Sequence, residues 1–102
     1  MAIRKSMDEE IVVLGDRDQW LKKCEESLNK EGFSKIDINN SLYQINGNYK
    51  KWTIWGEILI TLKPYSEKET TIVIKSTSNI DNIFALFKSP NKIIIEKFKN
   101  GL

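Results

Sequence analysis

The 102-residue sequence contains no histidine, one cysteine and two prolines. Without histidine, the chain has no imidazole base, no serine–histidine or cysteine–histidine nucleophile pair and no histidine metal ligand. A single cysteine can neither close a disulfide within the chain nor supply a cysteine-rich zinc site. These absences predict a protein that is not an enzyme and that holds no cofactor or metal ion.

The chain also lacks a large excess of charge of one sign, because it contains 16 Lys and Arg residues and 14 Asp and Glu residues. No apolar stretch approaches the roughly 20 residues that span a bilayer. The apolar residues 11–14 are too few for the core of a signal peptide, which needs roughly 7–15 residues. We therefore expect a cytoplasmic protein that contacts no membrane and keeps Cys24 as a free thiol.

A clear helical pattern follows a polar start. Residues 1–10 are expected to form a loosely ordered lead, because termini are poorly ordered unless something ties them down. Residues 11–102 are expected to form a single α+β domain, which starts with a short β-branched strand over 11–14. A helix is predicted over 17–31, and Gly32 follows at the position of a left-handed C-cap. Its apolar stripe recurs every four residues, at Trp20, Cys24 and Leu28.

After this helix the hydrophobic period changes from about four residues to two, which is typical of strands. Strands are predicted over 33–38, 42–49, 52–62 and 70–78, and an interrupted helix over 79–102. The element order is therefore β-α-β-β-β-β-α. Short connections favour an antiparallel meander, and two amphipathic helices can cover its one apolar face. The predicted fold is a two-layer α+β sandwich with both helices on one face of the sheet.

The register of the central hairpin can be predicted from the alternation. If Lys50 and Lys51 form a two-residue loop, Ile45 lies opposite Gly56 and the apolar rows of both strands share one face. A slip of one residue would bury the polar row instead. In this arrangement Trp55 points away from the core, onto the outer face of the sheet.

The outer face is the candidate functional surface. Leu42 and Leu59 are expected near Trp55, and an exposed cluster of large apolar side chains indicates an interaction patch. Glu57 lies between these residues and is interpreted as a solvated charge, because no nucleophile or electrophile accompanies it. The patch predicts a homodimer or a protein partner, with coverage by the N-terminal segment as the alternative.

Lysines suggest a second function for the same sheet. Residues 33–102 contain ten Lys against six Asp and Glu residues. Lysines beside an exposed tryptophan on a sheet can bind single-stranded nucleic acid by charge attraction and base stacking. The residues expected to contact the nucleic acid in this alternative are Lys50, Lys51, Lys63 and Lys75.

Two segments resemble a known family. The run Trp55-Gly56-Glu57 continuing to Leu62, and the Thr-rich strand 70–76 that ends in serine, are similar to a family of small uncharacterised bacterial α+β domains with a Trp-Gly-Glu strand. The resemblance covers roughly residues 11–102 and implies the same fold without transferring any chemistry. The order of a four-strand meander and a C-terminal helix is also similar to that of single-stranded-DNA-binding transcriptional regulators, although fold does not determine function.

Overall fold

A computed structural model describes residues 3–51, 54–80 and 90–102. These residues form five strands and two helices in the predicted order. The elements are β1 (Ile3–Leu14), α1 (Arg17–Lys30), β2 (Ser34–Asn39), β3 (Gln44–Lys51), β4 (Ile54–Ser66), β5 (Glu69–Ile80) and α2 (Pro90–Asn100). Within these ranges no helix is both long and apolar enough to cross a membrane.

The five strands form one antiparallel sheet in the spatial order β1-β5-β4-β3-β2. Strands β2 to β5 are the expected meander, and β1 pairs with β5 at one edge. Residues of both helices and of one sheet face enter a single hydrophobic cluster. The predicted two-layer α+β sandwich is therefore confirmed.

Helix α1 has the ends that its sequence predicts. The side chain of Asp16 accepts a hydrogen bond of 2.8 Å from the backbone N–H of Gln19, which satisfies one of the free donors of the first turn. Beyond the last turn, Gly32 has φ 85°, a left-handed conformation in which a Cβ would be unfavourable. Cys24 and Leu28 of the predicted stripe are fully buried.

The core lies between the helices and the inner sheet face. Its isoleucines alternate along the central strands, since every second side chain of a strand points to the same face. The fully buried ones on the sheet are Ile45, Ile58, Ile60, Ile72 and Ile74. Helix α2 adds Ile94, Ile95 and Phe98, each at most 1% exposed.

The expected loose lead over residues 1–10 is wrong for residues 3–10, which belong to β1. This strand pairs with β5 in an unbroken register from Ile3 opposite Ile80 to Leu14 opposite Glu69. The acidic residues there obscure the strand in the sequence, because at a sheet edge their side chains can stay at the surface while the backbone pairs. One of them, Glu9, forms an ion pair of 2.7 Å with Lys99 of α2.

The predicted register of the central hairpin also needs correction. Lys50 and Lys51 are strand residues rather than a loop, and Tyr49 lies opposite Gly56. Ile45 lies opposite Ile60 instead of Gly56. The assignment of residues to faces is nevertheless confirmed, because the offset between the two registers is an even number of residues and leaves the same side chains on each face.

The C-terminal helix is confirmed over α2, but residues 79 and 80, which the sequence assigns to the start of that helix, belong to β5. Pro90 is the first residue of α2, a position where its missing N–H is not needed. Strand β5 extends to Ile80, slightly beyond its predicted end. The part of the predicted helix over 81–89 lies outside the described residues.

Candidate functional site

The outer face of the sheet is the surface on which the sequence places its candidate residues. Both helices pack on the opposite face, so no described helix covers it. Trp55 is 49% exposed on β4, and Lys50 lies directly opposite on β3. The Nζ atom of Lys50 is 5.9 Å from the centroid of the Trp55 ring, within the range of a cation–π contact.

Toward the middle of this face the surface forms a shallow depression of about 560 Å³, here called the outer-face depression. Leu59 is half-buried in its floor, and Glu57 stands two residues away on the same strand. The polar side chains of its lining come from four neighbouring strands. They are Lys35 and Asp37 of β2, Asn46 and Asn48 of β3, Glu57 of β4, and Lys75 and Thr77 of β5.

The β2 side of the depression is irregular. The pairing of β2 with β3 shifts between Ser34 and Asp37, which is a bulge. Lys35, within this bulge, has φ 50°, a conformation that is uncommon for residues other than glycine. A bulge bends its strand and redirects its side chains, so the depression owes one of its sides to this irregularity.

The depression carries both signs of charge. Lys75 lies opposite Leu59 on one side and opposite Asp8 of β1 on the other. Glu57 lies opposite Asn48, not opposite Gln44 as the predicted register required. Amide, carboxylate and ammonium groups around a partly apolar floor can bind the mixed polar and apolar surface of a protein.

Leu42 does not join Trp55, and the predicted three-residue cluster is therefore wrong in this part. Leu42 is 60% exposed in the turn between β2 and β3. The next residue, Tyr43, accepts a hydrogen bond at its backbone oxygen from the N–H of Leu62. Seven residues of β4 separate this point from Trp55, about 23 Å at roughly 3.3 Å per residue.

The four lysines of the nucleic-acid hypothesis are also dispersed. Lys50 lies opposite Trp55, Lys75 lies opposite Leu59, and Lys63 is four residues farther along β4. Lys51 is the last residue of β3. The positions of Lys50, Lys75 and Lys63 are therefore about 13 Å apart in succession along the sheet, whereas Lys51 adjoins Lys50 in β3. Carboxylates stand among them on the same face, at Glu57, Asp37 and Asp8.

Groups that could supply covalent or metal chemistry are placed elsewhere. Cys24 is fully buried on the other side of the sheet, and burial raises the pKa of its thiol to about 12. Raising this pKa suppresses the reactive thiolate, so the predicted packing role of Cys24 is supported. Within the described ranges, no three acidic or cysteine side chains are grouped as metal ligands.

A contact that the sequence does not reveal fixes the turn that carries Leu42. The Tyr43 hydroxyl donates a hydrogen bond of 3.0 Å to Asp18, and the Arg17 guanidinium lies 3.9 Å from the centre of the Tyr43 ring. The hydrogen bond to the Asp18 carboxylate raises the pKa of Tyr43, because it stabilises the protonated phenol. Helix α1 is thereby connected to the end of the sheet that is remote from Trp55.

Comparisons with known proteins find the fold but no family. No protein-family model and no curated protein matches the chain. A solved structure of a norcoclaurine synthase point mutant from Thalictrum flavum, bound to a transition-state analogue, is similar at a TM-score of 0.64 and 7% identity. That match covers 98% of this chain and 94% of the synthase chain.

Two further structures share the architecture. The adenylate sensor of AMP-activated protein kinase, bound to a ribofuranotide, has a TM-score of 0.60 and 13% identity over 87% of this chain and 94% of its own. A conserved protein from Geobacillus kaustophilus has a TM-score of 0.55 and 10% identity over 95% and 91%. An enzyme and a sensor on one architecture support the fold of this chain and leave its function to its own residues. The resemblance to Trp-Gly-Glu domains stays a prediction.

Proposed function

We propose that this protein is a non-enzymatic, cytoplasmic binding module that recognises a partner protein through the outer face of its sheet. The observation that carries the proposal is the combination of a half-exposed Trp55 with the adjoining outer-face depression. Tryptophan is enriched among the residues that contribute most to protein–protein binding. Here it lies on the same strand and face as Glu57 and Leu59, which line a concave surface whose floor is partly apolar at Leu59.

The charges of the depression favour a protein as the partner. The depression contains the basic residues Lys35 and Lys75 and the acidic residues Glu57 and Asp37. The surface can therefore pair with charged groups of either sign on a partner. Such a pattern fits the polar rim of a protein interface, where charge pairs contribute to specificity and association rate. A uniformly anionic partner would instead meet repulsion from the carboxylates.

The proposal is tested by differential capture with three immobilised proteins: the wild type, Trp55→Ala and the control Tyr65→Ala. Tyr65 is an aromatic residue that is 63% exposed at the far end of β4. A true partner is retained by the wild type and by Tyr65→Ala and is lost with Trp55→Ala. Its binding is then measured with purified components. We expect the dissociation constant to be at least tenfold larger for Trp55→Ala, which is a loss of about 1.4 kcal/mol in binding free energy. Equal binding by all three proteins contradicts the proposal.

The partner at this face can also be a second copy of the chain, and a separate measurement distinguishes this self-association. Light scattering coupled to size exclusion measures the mass of the wild type and of Trp55→Ala over a range of concentrations. If the wild type dimerises and Trp55→Ala does not, the partner at this face is a second copy. If the mass is the same for both, the outer face does not mediate self-association.

Nucleic-acid binding is the second candidate because Lys50 lies beside Trp55. A positive charge for the phosphates next to an aromatic ring for the bases is the combination that binds single strands. It predicts that a fluorescent single-stranded oligonucleotide binds at about 50 mM salt and dissociates steeply as salt rises. Lys75→Glu reverses the charge at the centre of the face and should weaken this binding. An unchanged anisotropy of the oligonucleotide at low salt removes the candidate.

A further inference from the structure

The two edges of the sheet differ in how they are protected from pairing with another strand. Strand β2 has six residues, and a bulge interrupts its pairing between Ser34 and Asp37. Short length and bulges are features that keep an edge from recruiting a further strand. This edge of the sheet is therefore protected.

Strand β1 forms the opposite edge and lacks these features. It has 12 residues, contains no proline and pairs with β5 without a register shift. Among the described strands it has a neighbour on one side only. A row of its backbone N–H and C=O groups is therefore available to a further strand along its other side.

The charges of β1 differ in sign on the two sides of Met7. Arginine and lysine occupy positions 4 and 5, before Met7, whereas Asp8, Glu9 and Glu10 follow Met7. An antiparallel copy of the same strand runs in the opposite direction, so its basic segment can lie opposite the acidic segment of the first copy. Opposite charges at facing positions stabilise a strand pair, and like charges destabilise it.

We propose that β1 pairs antiparallel with β1 of a second copy, about a two-fold axis at Met7, so that one sheet continues across a dimer. In a symmetric pair, facing residues lie on the same face of the sheet. With Met7 facing Met7 of the second copy, position 4 faces Glu10 and position 5 faces Glu9. Moving the axis to Asp8 brings two aspartates together, which disfavours that register.

The surface beside Met7 supports the same axis. A depression of about 340 Å³ lies between β1 and α2 and is lined by Met7, Glu9, Ile95 and Lys99, among others. Met7 is 36% exposed there, on the same side of the sheet as the core. A second Met7 at the axis would cover this apolar side chain, and the flanking Glu9–Lys99 ion pair would lie near the rim of the contact.

A charge exchange tests the proposal. Arg4→Glu places glutamate opposite Glu10, and Glu10→Arg places two basic residues opposite each other. Each single variant should weaken the dimer at least about tenfold relative to the wild type. The double variant Arg4→Glu/Glu10→Arg should restore it. An equal mixture of the two single variants should form a heterodimer, because each then offers the charge that the other lacks.

Sedimentation velocity from about 1 μM to 1 mM protein gives the masses and dissociation constants. Thermal unfolding of each variant shows whether its monomer is folded, and a folded single variant that dimerises like the wild type overturns the proposal. A wild type that stays monomeric throughout this range also overturns it. The edge contact is independent of the outer face, since Trp55→Ala should leave this dimer unchanged and the β1 variants should leave capture of an outer-face partner unchanged.

Discussion

The thiol of Cys24 allows a quantitative test of the core. Cys24 is fully buried, and burial raises the pKa of its thiol from 9.0 to about 12. At pH 8 a thiol of ordinary pKa is about one-tenth ionised, whereas one with a pKa near 12 is ionised to roughly one part in ten thousand. We therefore expect the folded protein to react with Ellman's reagent at least about a thousandfold more slowly than the unfolded chain.

The same shift makes stability depend on alkaline pH. The folded pKa lies above the unfolded one, so the folded state holds the proton while the unfolded state loses it. The contribution is present in full below pH 9 and is lost as pH rises from 9 towards 12. Three pH units at about 1.4 kcal/mol each give an upper bound of about 4 kcal/mol at 25 °C.

Chemical denaturation at a series of pH values measures this effect, with Cys24→Ala as the control. All other ionisable groups are common to both proteins, so the difference between the two slopes isolates Cys24. The variant should lose stability less steeply between pH 9 and 12. Equal slopes, or labelling of native protein at the rate of the unfolded chain, would refute the assignment of Cys24 to a closed core.

Three further substitutions probe contacts on which the fold depends. Gly15→Ala should cost about 1–3 kcal/mol, because Gly15 has φ 123° and an added Cβ would lie 2.7 Å from Nε1 of Trp20; urea denaturation measures the loss. Ser27→Ala removes a buried hydrogen bond of 2.5 Å to the carbonyl of Phe98 and should cost about 1 kcal/mol, because that carbonyl also accepts from the N–H of Gly101. Gly101→Ala should lower the melting temperature, because its Cβ would collide with the Ser27 hydroxyl. The double variant of Ser27 and Gly101 should then lose less stability than the sum of the single losses, whereas strict additivity would contradict this contact.

Part of the candidate site could be predicted from local pattern alone. The period of two along β4 is enough to place Trp55 and Glu57 on the face opposite Ile58, because side chains alternate whatever the partner strand is. The position of Cys24 in the core follows in the same way from the helical period of α1. These are statements about neighbouring residues, and the physics that determines them is local.

The outer-face depression could not be predicted in this way. It depends on which residues of β2 and β5 lie beside Leu59, and therefore on the pairing of segments that are distant in the chain. The bulge at Lys35 adds a change of direction that no alternation signals, since it takes up a left-handed conformation at a residue other than glycine. For Leu42, local pattern predicts a contact that does not form: this apolar residue near a strand end is expected beside Trp55, but the tertiary structure places it in a remote turn.

The sequence by itself determined the periods of the elements, the faces of the central strands and the scarcity of groups for covalent or metal chemistry. Tertiary structure decided the offset of the central hairpin and the edge position of β1. The physical reason is that alternation specifies register only to within an even number of residues. Choosing among those registers, and choosing a neighbour for a charged strand such as β1, requires contacts between segments far apart in the chain.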